Sequence, residues 1–190
     1  MNYGQILRIA NRIVDTIAPF CEKCYIAGSI RRKSAECRDI EIVCKPLSDN
    51  SYDLFGDVST TTRIKAFRDA VSSIGSIKKG NADGRYCKII LPETELQLDL
   101  FMPAAEDFYR QYAIRTGSGL YSWKVIAQAW VAKGWCGTDS GLRMRRECEE
   151  AGSTWKCIVP NPVLPPVWQS EEAFFEWLGI DWISPEKRDV

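Results

Sequence analysis

The chain has 190 residues, 45% of them apolar and 26% charged, with Lys+Arg 25 balanced by Asp+Glu 25. This composition is that of an ordinary globular domain and excludes disordered, collagen-like and membrane-spanning classes. Histidine is absent, which removes Ser/His and Cys/His catalytic pairs and every histidine metal site, so acid–base or metal chemistry must rest on carboxylates.

The first residues carry no apolar run ending at a small-residue cleavage site, so an intracellular, cytoplasmic protein with no membrane partner is expected. In that setting the eight cysteines are expected as free thiols. Cys21 and Cys24 form the one CxxC pair. A zinc site there needs further ligands, which Cys136, Cys148 and Cys157 can supply only if a loop brings them together. Zero net charge counts against a tight, general nucleic-acid binder, yet the basic stretches 31–33, 78–79 and 143–146 can form local patches.

Ile6, Ile9, Ala10, Ile13, Val14 and Ile17 recur at helical spacing and predict an amphipathic helix over 3–17. Short β-compatible runs lie at 25–27, 40–44, 87–91 and 96–101, with a helix over 62–74 between them. The segment 46–60, holding Pro, Asn, Gly and several Ser, reads as a polar, mobile loop. After Pro103 the texture changes to helices over 106–114 and 120–132, the second stopped by Gly134. Prolines over 160–166 predict an extended connector. A last helix over 171–178 is framed by Ser170 as N-cap and Gly179 as C-cap. The expected fold class is α+β, with a first lobe over 1–103 and a second, mainly helical lobe over 104–190.

The sharpest motif is Gly28-Ser29-Ile30-Arg31-Arg32, followed by Asp39-Ile40-Glu41. Two residues apart on a strand, Asp39 and Glu41 share one face while Ile40 points to the other. Leu98-Asp99-Leu100 repeats the device with one acid between apolar positions, and adjacent strands lie about 4.8 Å apart, so the three acids can cluster. Clustered carboxylates repel unless protons or cations neutralise them, and magnesium, as two ions, is the natural partner. Gly28 and Ser29 follow a strand and open a short helix, where backbone N–H groups and the hydroxyl can hold a phosphate. Arg31 or Arg32 can add a bidentate contact. Read singly, each piece is also compatible with an ordinary turn or a surface charge.

The pattern of GS, then RR, then D-x-D/E, with a later lone Asp between apolar residues, resembles the DNA polymerase β-like nucleotidyltransferases of family X. Arg115-Thr116-Gly117-Ser118 resembles the TGS element at their nucleotide pocket, and 174–178 through Pro185 and Arg188 is similar to their C-terminal tail. The resemblance implies a nucleotidyltransferase palm over 1–103, a mixed sheet with helices on one face, and a closing lobe over 104–190. It implies a DNA polymerase that adds a dNMP from a dNTP to a primer 3′-hydroxyl on primed or gapped DNA, in gap filling or repair. Asp39, Glu41 and Asp99 would hold two Mg²⁺, for which Mn²⁺ can substitute, with Asp99 nearest the hydroxyl. Ser29 and Arg32, with the backbone around Gly28 and Arg38, would hold the β- and γ-phosphates. Thr116, Gly117 and Ser118 would lie along the sugar and base, with a cis peptide between Gly117 and Ser118, and Gly119, Tyr121 and Ser122 close to the nascent pair. Trp123 would be available to stack on a template base, and Ile126 would stand where larger relatives place a polar or basic group. A monomer of the minimal kind, from a bacterial or viral source, is expected.

Three departures stand out. Glu41 occupies a position where these polymerases commonly have Asp, and Gln97 a position where larger relatives have Arg. Ile114 and Arg115 replace the aromatic pair that crowds the sugar's 2′-hydroxyl in larger relatives. The alternative expectation is a nucleotidyltransferase acting on an RNA end, a protein or a small molecule.

Overall fold

The computed structural model describes residues 2–52 and 58–189. Helix α1 (Tyr3–Ile17) begins with a reciprocal cap: the Gln5 N–H donates to the Asn2 side chain at 2.9 Å and the Asn2 N–H donates to the Gln5 side chain at 3.2 Å. Two donors that a helix start leaves unpaired are thereby satisfied. Its stripe of Ile6, Ala10, Ile13 and Ile17 is buried, as the spacing predicts.

There follow β1 (Cys21–Ile26), α2 (Gly28–Arg31), β2 (Asp39–Pro46), β3 (Ser48–Tyr52), β4 (Val58–Arg63), α3 (Lys65–Ile74), β5 (Ser76–Gly80), β6 (Tyr86–Ile90) and β7 (Gln97–Phe101). Five strands form one sheet in the order β1-β2-β7-β6-β5. Strands β2 and β7 run parallel and the other neighbours antiparallel. Ile40, Ile42 and Cys44 of β2, Leu98 and Leu100 of β7, and Cys87 and Ile89 of β6 point to the side covered by α1 and α3, where Phe67 and Val71 complete the core. The opposite side is not bare. Helix α4 (Phe108–Thr116) crosses one end of it, burying Phe108 against Val43 and Ala27. Within the first lobe α1 and α3 cover one face, and α4, from the second lobe, caps part of the other.

The segment expected as a loop over 46–60 contains β3 and the first part of β4, which pair antiparallel with Asp49 opposite Thr62. Residues 53–57 lie outside the described residues. The strand sequences there are runs of Ser, Asp, Asn and Thr with no apolar face, so period-two alternation carries no signal. Strand β5 escaped the reading for the same reason, since all five of its residues are exposed.

In the second lobe, α5 (Gly119–Tyr121), a π-helical segment (Ser122–Ala127) and α6 (Gln128–Ala132) form one continuous rod. It ends near Gly134, whose φ of +79° suits glycine. Four strands follow, β8 (Trp135–Thr138), β9 (Gly141–Met144), β10 (Cys148–Ala151) and β11 (Thr154–Cys157), ordered β10-β11-β8-β9. The lobe therefore keeps more helix than strand, as expected, but sets those helices against a four-stranded sheet that was not expected. Strands of four residues are too short for a periodic signature. Helix α7 (Glu171–Leu178) lies between the Ser170 cap and Gly179 as expected. Its Phe174, Phe175 and Leu178 are buried with Ala113, Tyr121, Ile126, Trp130 and Trp168.

One buried charge joins the two lobes. The Glu171 carboxylate, 4% exposed, accepts two hydrogen bonds from Arg31 of α2, both at 2.8 Å, and two from Arg188, at 2.7 and 3.0 Å. Trp182 Nε1 donates a further one at 2.9 Å. Burial alone pushes this carboxyl up, but the guanidinium hydrogen bonds and charges outweigh it and hold it at about 2. Because that value lies below the ordinary 4.5, the pair's contribution to stability is complete above the unfolded value and is lost as pH falls toward the folded one. Glu171→Ala leaves two guanidiniums facing a vacated, mostly buried site and should cost about 3–5 kcal/mol in urea unfolding at neutral pH. The deficit should shrink in acid, where the wild-type carboxyl is itself protonated.

Candidate active site

The register of β2 on β7 builds the acidic face. Asp39 stands opposite Gln97 and Glu41 opposite Asp99, so all four side chains project to the side away from α1 and α3. Lys88 of β6 lies opposite Asp99 on the next strand. Asp99, 8% exposed, is held from two directions: Tyr86 Oη donates to one carboxylate oxygen at 2.5 Å and Gln97 Nε2 to the other at 2.6 Å. Gln97 thus supplies a neutral donor to the acid two residues on. Tyr86 escaped the sequence reading because β6 was expected to begin one residue later; its alternation with Lys88 was the available signal.

Electrostatics confirm that the acids feel one another. Burial raises the Asp39 carboxyl above its usual range, and the Asp99 charge adds to it. Burial, then the Asp39 charge, lifts Glu41 to about 7, against the pull of Arg115 and Arg32. Hard carboxylate oxygens in mutual repulsion are the donor chemistry that suits Mg²⁺ or Mn²⁺. Asp39, Glu41 and Asp99 are the residues that would hold them. Among the described residues no group of three or more Cys, Asp and Glu side chains is drawn together as a closed cage, so the acids share a face without converging on one point.

The glycine-serine turn abuts this face. Gly28 has φ +63°, a region that L side chains rarely adopt, and a Cβ there would run into the Glu41 carboxylate. Ala27 N–H donates to the Glu41 carbonyl at 2.8 Å, fixing the turn to β2. Ser29 Oγ, Ser34 Oγ and Arg32 Nε are buried with no hydrogen-bond partner among the described residues, although buried polar groups are normally paired. Arg31 Nη1 donates to Thr116 Oγ1 at 2.6 Å and Arg32 Nη1 to the Thr116 carbonyl at 2.8 Å. The GS-x-RR turn and the Thr116-Gly117-Ser118 element, some eighty-five residues apart in the chain, therefore meet.

Within that second element, a Cβ on Gly117 would lie 2.7 Å from the Tyr121 ring and 2.8 Å from Ser122 Oγ. Ser118 caps α5 by accepting from the Tyr121 N–H at 3.1 Å, and its own N–H donates to the Arg188 carbonyl at 2.9 Å. The expected cis bond between Gly117 and Ser118 is corrected: no described peptide bond is cis. Both residues reach the cap in ordinary extended conformations, with φ/ψ of −65°/154° and −57°/159°.

Other expected residues are placed differently. The Arg38 side chain is 90% exposed and lies 3.7 Å from Glu36, so it turns away from the phosphate-type turn and only its backbone adjoins Asp39. Ile126 is fully buried core, whereas Trp123 is 60% exposed. Cys21 and Cys24 lie in the first lobe with Cys44, apart from Cys136, Cys148 and Cys157 in the second.

Between the acidic face and the second sheet lies a cleft of ≈ 990 Å³ lined by Glu41, Asp99, Arg115, Lys79, Arg143 and Trp155, among others. Arg115 stacks its guanidinium on Phe101 at 4.0 Å from the ring centroid and leaves its buried Nε without a partner. Ile114 lines the same cleft. The position read as a departure beside the sugar is therefore occupied by a fixed cation that faces Glu41 and Asp99.

Glu41 gives a pH test. A folded-state value raised above the ordinary 4.5 leaves stability whole below the unfolded value and erodes it as pH rises through about 7. In chelator, Glu41→Gln should stabilise the protein by about 1–3 kcal/mol at pH above 7 and change little in acid, read as the difference in unfolding midpoints. Searches against models of protein families and against curated proteins find no match to this chain.

Proposed function

We propose that the protein is a polymerase β-like nucleotidyltransferase of family X, transferring a dNMP from a dNTP to a primer 3′-hydroxyl on primed or gapped DNA. The observation that carries this reading is the placing of three same-face carboxylates, two of which line the cleft, beside a glycine turn whose buried Ser29 Oγ and Arg32 Nε make no hydrogen bond among the described residues. In this reading the first lobe is the palm, the second closes over the nucleotide, and the chain acts as a monomer in gap filling or repair.

Magnesium or manganese ions, when bound, would neutralise the carboxylates and the developing pyrophosphate charge. Asp39, Glu41 and Asp99 would hold them. Ser29 and Arg32, with the Gly28 backbone, would receive the β- and γ-phosphates, which supply the acceptors that the unpaired donors lack. Tyr86 and Gln97 orient Asp99, leaving lone pairs on its carboxylate to accept the hydroxyl proton. Thr116, Gly117 and Ser118 would border sugar and base, with Trp123 free to stack on a template base.

Zero net charge favours a second reading, in which the acceptor is an RNA end, a protein or a small molecule. The test is incubation with magnesium and each dNTP on a gapped duplex, on a single strand and without nucleic acid. Template-directed extension of the gapped duplex is the expected result, with Asp39→Ala or Asp99→Ala losing at least about a thousandfold, roughly 4 kcal/mol of transition-state stabilisation. Near-normal turnover by either variant would remove the assignment, and transfer without nucleic acid would select the second reading.

With Ile114 and Arg115 in place of an aromatic pair, the preference for deoxyribose over ribose should stay below about a thousandfold in kcat/KM on the gapped substrate. A larger preference would show that another group guards the 2′-hydroxyl.

A further inference from the structure

The first lobe holds a cluster of thiols that the proposed chemistry does not use. Cys24 of β1 stands directly opposite Cys44 of β2, and paired residues on neighbouring strands project to the same side. Cys21, three residues before Cys24, would point to the other side in a regular strand. It does not, because the register slips between Cys21 and Lys23: Cys21 faces Pro46 while Lys23 faces Lys45. Two steps on β1 match one on β2, which is a bulge. The extra residue restores Cys21 to the side of Cys24 and Cys44, and all three pack on the same core. The neighbouring Cys24 and Cys44 thiols, with Arg63 as a further positive charge, outweigh burial and favour the Cys21 thiolate. Cys21 is half-buried and therefore reachable, whereas Cys44 is fully buried. Arg63 is itself pinned by donating to the carbonyls of Ala82, Gly84 and Met102.

We propose that Cys21 is an oxidant-reactive thiol and that Cys24 closes a disulfide with it when the protein meets a low-molecular-weight disulfide such as oxidised glutathione. The Cys21 thiolate attacks one glutathione sulfur, forming a mixed disulfide and expelling one glutathione thiolate. That thiolate takes up the Cys24 proton. Cys24 sulfur then attacks Cys21 sulfur, the mixed S–S bond breaks, and the second glutathione leaves as a thiolate that is protonated by solvent. Two protein thiols are oxidised to one disulfide and one oxidised glutathione is reduced to two thiols. Three cysteines elsewhere are poorer nucleophiles: burial raises the Cys87 and Cys136 thiols, and burial with the neighbouring Cys136 thiol raises Cys148.

The experiment treats the full chain with oxidised glutathione, quenches at intervals by alkylation, and maps tryptic peptides without reduction. Cleavage after Lys23 places Cys21 and Cys24 on separate peptides, and the Lys45–Pro46 bond, which trypsin leaves intact, puts Cys44 on a third, longer one. The expected result is a 13–23 peptide linked to a 24–31 peptide, appearing at least about tenfold faster than modification of any other cysteine. Cys24→Ser should instead accumulate glutathione on Cys21, and Cys21→Ser should abolish the fast phase, both with unchanged circular dichroism. First modification at Cys148 or Cys87, or a Cys24–Cys44 link that excludes Cys21, would overturn the proposal. A stable glutathione adduct on Cys21 in the unsubstituted chain would overturn the role given to Cys24.

Discussion

Parallel pairing of β2 with β7, in the register that sets Glu41 against Asp99, is the constraint from which the rest follows. Because side chains alternate along a strand, that register sends Ile40, Ile42, Leu98 and Leu100 into one core and Asp39, Glu41 and Asp99 to the other side. A slip of β2 by one residue would bury Asp39 and Glu41 and turn Ile40 and Ile42 out of the core, so the hydrophobic core itself fixes the acids. Burial first, and their mutual repulsion second, raise the Asp39 and Glu41 carboxyls, a cost the core can sustain.

The second constraint is how the two lobes are joined. Arg31 belongs to the short turn beside the acids, yet its guanidinium is committed to Glu171 and Thr116 of the second lobe, and it stacks on Tyr112 at 3.8 Å. Its neighbour Arg32 spends one nitrogen on the Thr116 carbonyl, while its Nε makes no hydrogen bond among the described residues and lies 3.8 Å from the Asp189 carboxylate. Adjacent arginines thus divide two tasks: one is consumed by architecture and the other keeps a donor without a hydrogen bond beside the turn. A bidentate Arg–carboxylate pair with both partners nearly buried is the geometry in which such charges hold position best.

Much of this was legible in the sequence, and the parts that were not share a physical cause. The helix over 3–17 and the helix over 171–178 announced themselves through apolar spacing and caps, and both occur with those bounds. The same-face placement of Asp39 and Glu41 needed only strand alternation. What sequence could not give was pairing across distance: that Glu171 would lie between Arg31 and Arg188, that Tyr86 would hold Asp99, or that Arg115 would turn toward the acids over Phe101. Local periodicity has no term for such contacts. The strands β3, β5 and β8 to β11 were hidden because they are polar or four residues long, and stability there comes from neighbours rather than from an apolar face.

Unmet polar groups are not scattered through the fold. Among the described residues five buried side-chain atoms make no hydrogen bond: Ser29 Oγ, Arg32 Nε and Ser34 Oγ belong to the glycine turn and its exit, Arg115 Nε lies over the acidic face, and Trp168 Nε1 lies in the second lobe's core. Leaving a buried donor unpaired costs about 1–3 kcal/mol, more where it is charged, so a fold under selection for stability alone would have paired them or replaced them. The carboxylates one strand away carry a complementary strain, since burial and their shared negative charge raise Asp39 and Glu41 despite the cations nearby. A ligand that brings phosphate oxygens to the turn and divalent cations to the acids would relieve both at once, and one that brought either alone would leave the other uncompensated. That double requirement is met by a nucleoside triphosphate with its metal ions, which is why the proposed reading rests on the turn and the acids together and on neither singly.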